Sequence, residues 1–226
     1  MTSTSTRRLT VAETVRADEA ALKAMKTHGE LYQWAKEHDL TGGKFAAVKK
    51  QWKAIGIDYD AIREEVTRQR LAELNAAAAE GVPAIRLSAA GDGNVDSYAV
   101  CDSEGTVLWY GTFHERDRYY RNGDQVSADA SAANKAIFLA GQARQLAKVE
   151  LARLELTLTN PHVDTAQLIR EATSWRLLLD IQIADDPNDP PAAVAWCEEP
   201  GFQDWKDADL RSLVEADDQG EGEGAE

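Results

Sequence analysis

The sequence predicts a mixed α/β chain, α+β overall, with a small helical module in front of a strand-and-helix domain. Three observations carry this. Residues 10–82 show apolar positions at helical spacing; from Pro83 the pattern changes to three short β-like segments and then alternates helix, strand, helix, strand, helix; and the charge is unevenly placed along the chain. The formal net charge is −14 over 226 residues. Residues 1–75 hold 13 Lys and Arg against 11 Asp and Glu, whereas the remainder holds 12 against 28. Polyanion binding depends on neutralising phosphates, so only the front third has a general electrostatic footprint for nucleic acid. That asymmetry also suggests two modules.

At this length the chain buries a real core. No segment reaches the roughly 18 unbroken apolar residues of a membrane span. The start, MTSTSTRRLT, has two arginines but no apolar stretch behind them and does not read as a secretory signal. Cys101 and Cys197, the only cysteines, lack neighbours at metal-ligand spacing, so they read as free buried thiols in a reducing compartment. A cytoplasmic location is the expectation. Residues 1–9 and the acidic tail 217–226 (DQGEGEGAE and its flank) are too poor in apolar residues to order.

Element by element, residues 10–27 read as a helix opened by Thr10 with Glu13 three residues on, a capping box. ELYQWAKEHDL continues the helical spacing through Leu31, Trp34, Ala35 and Leu40 until Thr41-Gly42-Gly43. KFAAVKKQWKAIG places Phe45, Val48, Trp52 and Ile55 on one face, and residues 59–80 form a long helix ended by Gly81-Val82-Pro83. The two short helices around the Gly-containing turn have a helix-turn-helix silhouette. Lys44, Lys49, Lys50 and Lys53 make the second of them basic, as a DNA- or RNA-contacting helix would be. An ordinary solvated helix carries lysines for the same solubility reason.

In the rear, AIRLSAAG, SYAVCD and TVLWYGTFH read as strands joined by Gly91–Asn94 and Ser103–Gly105 turns. A polar loop over 115–127 is followed by a helix from about Ala128 to Lys148. ARLELTLT is the fourth strand, Val163 to about Ile183 the next helix, AAVAWCE the fifth strand, and Phe202 to Ala216 the last helix. The loop holds Arg116, Arg118, Tyr119, Tyr120 and Arg121, a basic-aromatic cluster of the type that grips single-stranded nucleic acid, or a solvated loop.

This order of elements over residues 84–216 resembles the ribonuclease H-like superfamily. The resemblance implies a mixed five-stranded sheet flanked by helices, with four carboxylates holding two divalent metals that activate water and stabilise the leaving oxygen. It implies acids on the first strand, in the first helix, at the end of the fourth strand and near the last helix. Laid on this sequence those places fall at Ser88 or Ala89, at Lys135, at Asn160, and at Asp204, Asp207 and Asp209. Only the last retains acids, so the resemblance implies a degenerate site with no metal and no cofactor; Mg²⁺ or Mn²⁺ enters only if relocated acids such as Asp92, Asp96 or Asp102 rebuild one. Those three read more simply as turn residues. His114 beside Glu115, and His162 beside Asn160, are general-base or ligand types that also occur as ordinary surface or capping residues. Asn160 with Asp164 reads as a helix cap, and Glu198-Glu199 as an exposed acidic edge. No phosphate loop, GxGxxG, GxSxG, HExxH or zinc spacing is present.

The resulting expectation is a non-catalytic, nucleic-acid-associated pseudoenzyme, with the four lysines and Arg116, Arg118 and Arg121 as contacts and no membrane partner. Two alternatives stand beside it: a divergent metal-dependent nuclease, and an acidic module that docks a basic protein.

Overall fold

The computed structural model describes residues 9–78 and 81–215. The expected disordered segments at the two ends fall, but for Leu9, outside the described residues. The chain divides into two compact units, residues 1–70 and 71–226.

The front unit is helical. Helices α1 (Val11–Ala17) and α2 (Glu19–Ala24) occupy the stretch expected as one helix. The break falls at Asp18, whose carboxylate leaves the helix surface to accept the Trp34 indole N–H at 2.8 Å. A side chain held outward in this way is unavailable to cap the turn, and Asp18 makes no cap bond of its own. Helix α3 (His28–Glu37) begins two residues before the expected Glu30, because Thr27 and Glu30 form a second capping box beside that of Thr10 and Glu13. A 3₁₀ turn, Gly42–Lys44, leads into α4 (Phe45–Ala54), and α5 runs Tyr59–Ala77. Gly42 sits at φ 63°, in the left-handed region that glycine enters at no steric cost. Leu22, Leu31, Trp34, Val48 and Trp52 close a core around the mutually packed rings of Trp34, Phe45, Trp52 and Tyr59. Both tryptophans are therefore core residues.

The rear unit is built on one sheet of five strands: β1 (Ala84–Asp92), β2 (Ser97–Asp102), β3 (Val107–Thr112), β4 (Ala152–Leu158) and β5 (Leu177–Ile183). Their order is β3-β2-β1-β4-β5. β1–β2 and β2–β3 pair antiparallel, as tight turns allow, whereas β1–β4 and β4–β5 pair parallel and need crossover helices. Those helices are α6 (Gln125–Leu146) and α7 (Thr165–Ser174). Helix α6 lies on the face formed by Ile85, Leu87, Val100, Leu154 and Leu156. It approaches closely because its inner surface is alanine and glycine: Ala132, Ala133, Ala136, Ala140 and Gly141. The other face near β2 is covered by α8 (Ala192–Glu198), through Ala90, Ala99, Cys101, Ala193 and Cys197.

Three expectations fail after β4. The helix expected over 163–183 ends at Ser174, where Arg176 turns to φ 56°, and Leu177–Ile183 becomes the fifth strand. Periodicity could not separate the two, since LLLDIQI is apolar at both helical and strand spacings. AAVAWCE is helix α8 and not a strand; Pro190-Pro191 presets its first turn and alanine favours it. The last helix is reduced to 3₁₀ turns, Trp205–Asp207 and Leu210–Leu213, capped by Asp204 and Asp209.

Candidate functional site

Where β1 ends beside β4, the backbone of Gly91 touches the first turns of α6. This contact positions Asp129, a carboxylate only 2 % exposed. Its Oδ1 accepts the Gly91 N–H at 3.1 Å, and its Oδ2 accepts the amides of Gln125 and Asn160, each at 2.9 Å. Gln125 also donates to the Gly91 carbonyl and accepts from the Gly93 N–H. The Asn160 oxygen accepts the His162 N–H at 2.9 Å, which fixes the orientation of its amide and aims the NH₂ at Asp129. A buried carboxylate needs such donors, and here neutral donors take both its oxygens.

The sequence reasoning missed Asp129. Its signal was legible: a lone acid at 129 in line with Ala133, Ala136 and Ala140 on the apolar stripe of a helix. The other sequence candidates lie as follows. Ala89 faces the core under α6. Lys135, in the middle of α6, pairs with Asp117 at 2.5 Å. Asp207 and Asp209 stand on the C-terminal 3₁₀ turns, where Asp209 accepts the Arg211 N–H. Among the described residues no hydrogen bond or ion pair joins Asn160 to Ala89, Lys135, Asp207 or Asp209; its side chain bonds Asp129 and the His162 N–H. It does not cap α7, a role taken by Asp164. Asp92 and Asp102 form turns, accepting the N–H groups of Asn94 and of Glu104 and Thr106. Asp96 accepts from Asn122 and from the Tyr120 hydroxyl. His114 accepts the Arg116 N–H, and Glu198 and Glu199 are exposed at the end of α8. Cys101 and Cys197 are free and buried, and burial pushes both thiols up to about 12. The charges of Asp92 and Asp129 add to that rise at Cys197. Among the described residues no group of three or more His, Cys, Asp or Glu is arranged to hold a metal ion.

Comparison of this chain with protein-family models, curated proteins and solved structures finds no match. The site is therefore read on its own chemistry.

The loop from His114 to Asp124 joins β3 to α6. It is anchored by a half-buried hub, Asp117, which accepts the Ser131 hydroxyl, the Lys135 ammonium and the N–H groups of Tyr119 and Tyr120. The Tyr119 hydroxyl reaches Glu171 on α7 at 2.6 Å, and Tyr120 stacks on Phe113 with centroids 4.1 Å apart. A loop expected to be either a binding loop or simply solvated is thus tied to α6, α7 and the sheet. It leaves Arg116, Arg118 and Arg121 exposed, and among the described residues none of the three has an acidic partner; Arg118 stacks on Tyr119. By contrast Arg86, Arg153 and Arg176 of the same unit are all ion-paired.

The four lysines on α4 and the turn before it are largely engaged. Lys49 pairs with Asp60 at 2.8 Å, Lys53 with Asp58 at 3.2 Å, and Lys44 donates to the Asp39 carbonyl. Lys50 is exposed and has no acidic partner among the described residues. Such surface pairs contribute little to stability but lower the net charge offered to a polyanion. Among the described residues no helix is long and apolar enough to cross a membrane.

The Asp117 hub titrates in a defined direction. Burial alone would raise its carboxyl; the bonded Lys135 ammonium, with Ser131 and the Tyr119 N–H, outweighs this and holds it below its ordinary value of 3.8. A carboxyl depressed in the folded state contributes stability above its unfolded value and loses it as pH falls through the folded one. Thermal melts of the whole chain should show an acid loss setting in below about pH 4. Asp117→Asn should flatten that limb, and an unchanged acid slope in the variant would remove Asp117 from the account.

Proposed function

We propose that the chain is a non-catalytic, nucleic-acid-associated protein, in which a ribonuclease H-like domain that has lost its metal chemistry presents an arginine loop to phosphate. One observation carries this reading: Arg116, Arg118 and Arg121 stand exposed and without acidic partners on a loop clipped in place, in the part of the chain where acids outnumber bases more than two to one. Free, preorganised guanidinium groups bind phosphate with little ordering cost. The mixed five-stranded sheet with helices on both faces supports the resemblance. The inert half rests on Asn160, which stands at the end of β4 and offers an NH₂ donor to Asp129 where a metal site needs another anionic oxygen. The α4 helix and its helix-turn-helix silhouette are a secondary contact, through Lys50 and Lys44.

The test is a gel-shift series with single-stranded and duplex DNA and RNA across a salt range. Binding should weaken linearly in log–log form with salt. Changing all three loop arginines to glutamate should lower affinity by roughly 100-fold without preference among sequences, because phosphate contacts carry no base information. No retardation at low salt would overturn the reading.

A divergent metal-dependent nuclease is the second reading, favoured by Asp129, a buried carboxylate held at the end of β1 by the Gly91 N–H. Incubation of hybrid, duplex and single-stranded substrates with Mg²⁺ or Mn²⁺ decides it. Cleavage abolished by Asp129→Ala in a folded variant would establish it over the first.

A further inference from the structure

The face of the sheet opposite α6 is covered by α8 over β2, β3 and the end of β1 at Ala90. Across β1, β4 and β5 it carries two rungs in register: Arg86, Glu155 and Asp180, then Ser88, Thr157 and Gln182. The first rung satisfies itself, since Arg86 bonds Glu155 at 2.9 Å and also Glu215, while Arg153 bonds Asp180 at 2.6 Å. The second does not: no side chain of Ser88, Thr157 or Gln182 bonds another described residue. These three form part of the lining of a cleft of about 600 Å³, whose other surfaces include the Ser103–Gly105 turn and the Asp189–Ala192 segment. The cleft shares Arg86 and the Asp102–Glu104 turn with a second depression of about 400 Å³ that extends to Glu215. Together they form an elongated groove, a shape suited to an extended chain more than to a compact molecule.

Charge decides what fits. Among the described residues Arg86 is the only basic side chain lining either depression, and it is already matched by two carboxylates. Glu104 and Asp189 stand exposed on the rim with no cationic partner among the described residues. The floor adds hydroxyl and amide oxygens, which accept the several N–H donors of a guanidinium. Anions are repelled here, so this groove is separate in chemistry from the arginine loop.

We infer that the groove is a docking site for an extended, arginine-rich segment of a partner protein, with one guanidinium seated over Ser88, Thr157 and Gln182 and flanked by Glu104 and Asp189. The experiment is fluorescence anisotropy of the full chain with a fluorescein-labelled peptide of four Arg-Gly repeats, against a Glu-Gly peptide of the same length, free arginine and spermine. The Arg-Gly peptide should bind and the Glu-Gly peptide should not. Glu104→Gln/Asp189→Asn, conservative changes at exposed positions, should weaken it about 5-fold, in line with rim charge pairs of modest energy each. Thr157→Val should weaken it about 3-fold through the lost hydroxyl. The loop arginine variant should bind the peptide as the wild type does. Absence of binding, equal binding by both groove variants, or spermine and free arginine binding as tightly as the peptide would each overturn the inference.

Discussion

Gly91→Ala should strongly destabilise the rear unit. A Cβ built at Gly91 would lie 2.3 Å from the carbonyl carbon and 2.4 Å from the carbonyl oxygen of Ala128, and 2.8 Å from the Asp129 nitrogen. All three are backbone atoms of α6, so no side chain can swing aside. Relief requires β1 and α6 to separate, which stretches the Gly91 N–H to Asp129 bond and loosens the alanine-lined contact beneath it. Overpacking of this kind costs about 3 kcal/mol or more. For a unit of this size that lowers the melting temperature by roughly 10 °C. Hydrogen exchange over the strands β1 to β5 reports the rear unit separately from the front one. Gly43→Ala is the control, because a Cβ there meets nothing within 4 Å. A melt for Gly91→Ala that matches this control would disprove the close approach.

Asp117→Ala should be nearly as damaging, for an electrostatic reason. The Lys135 ammonium is enclosed by three rings, 4.5 Å from the centre of Tyr98, 5.1 Å from Phe113 and 5.6 Å from Trp109. Its side chain is 14 % exposed and that of Asp117 is 11 % exposed. Ring faces attract a cation but do not replace the lost hydration, and burial already pulls the ammonium's pKa down against the opposing pull of Asp117. Removing the carboxylate strands a buried charge and the donors of Ser131, Tyr119 and Tyr120, at a cost of about 3–5 kcal/mol. The double change Asp117→Ala/Lys135→Met removes both charges and should recover more than half of that loss. A double mutant less stable than the single would mean that the ion pair is not the reason. Because the same hub anchors the arginine loop, the single variant should also raise backbone hydrogen exchange over residues 114–124.

How much of this was legible beforehand varies with the element. The first three strands, β4 and α6 follow from alternation, turn glycines and an alanine-rich helical stripe, and their expected ranges lie within a few residues of the observed ones. The capping box at Thr10 is local chemistry that the sequence states outright, whereas the one at Thr27 lies at the end of the stretch read as a single helix. Failures cluster after β4, where short apolar runs suit either structure and the choice depends on which surface remains open. Leu177–Ile183 becomes a strand because β4 offers a free edge, and Ala192–Glu198 a helix because the face near Ala90, Ala99 and Cys101 needs covering. At the candidate site, Asn160 was visible as an amide where the resemblance implies an acid. The side chain it bonds, Asp129, lies six residues before Lys135 on the same helix.

By itself, then, the sequence determined the mixed class, the order of most elements, the uneven charge and the arginines of the loop, since each depends on neighbours along the chain. Only the tertiary structure decided that Asp129 faces Asn160, that Asp117 clips the loop to Lys135, that Lys49 and Lys53 are paired with nearby acids, and that the face of the sheet opposite α6 keeps a cleft over Ser88, Thr157 and Gln182. Those outcomes rest on which surfaces meet across distant stretches of chain. Burial, not adjacency in sequence, sets the partners a charge must find.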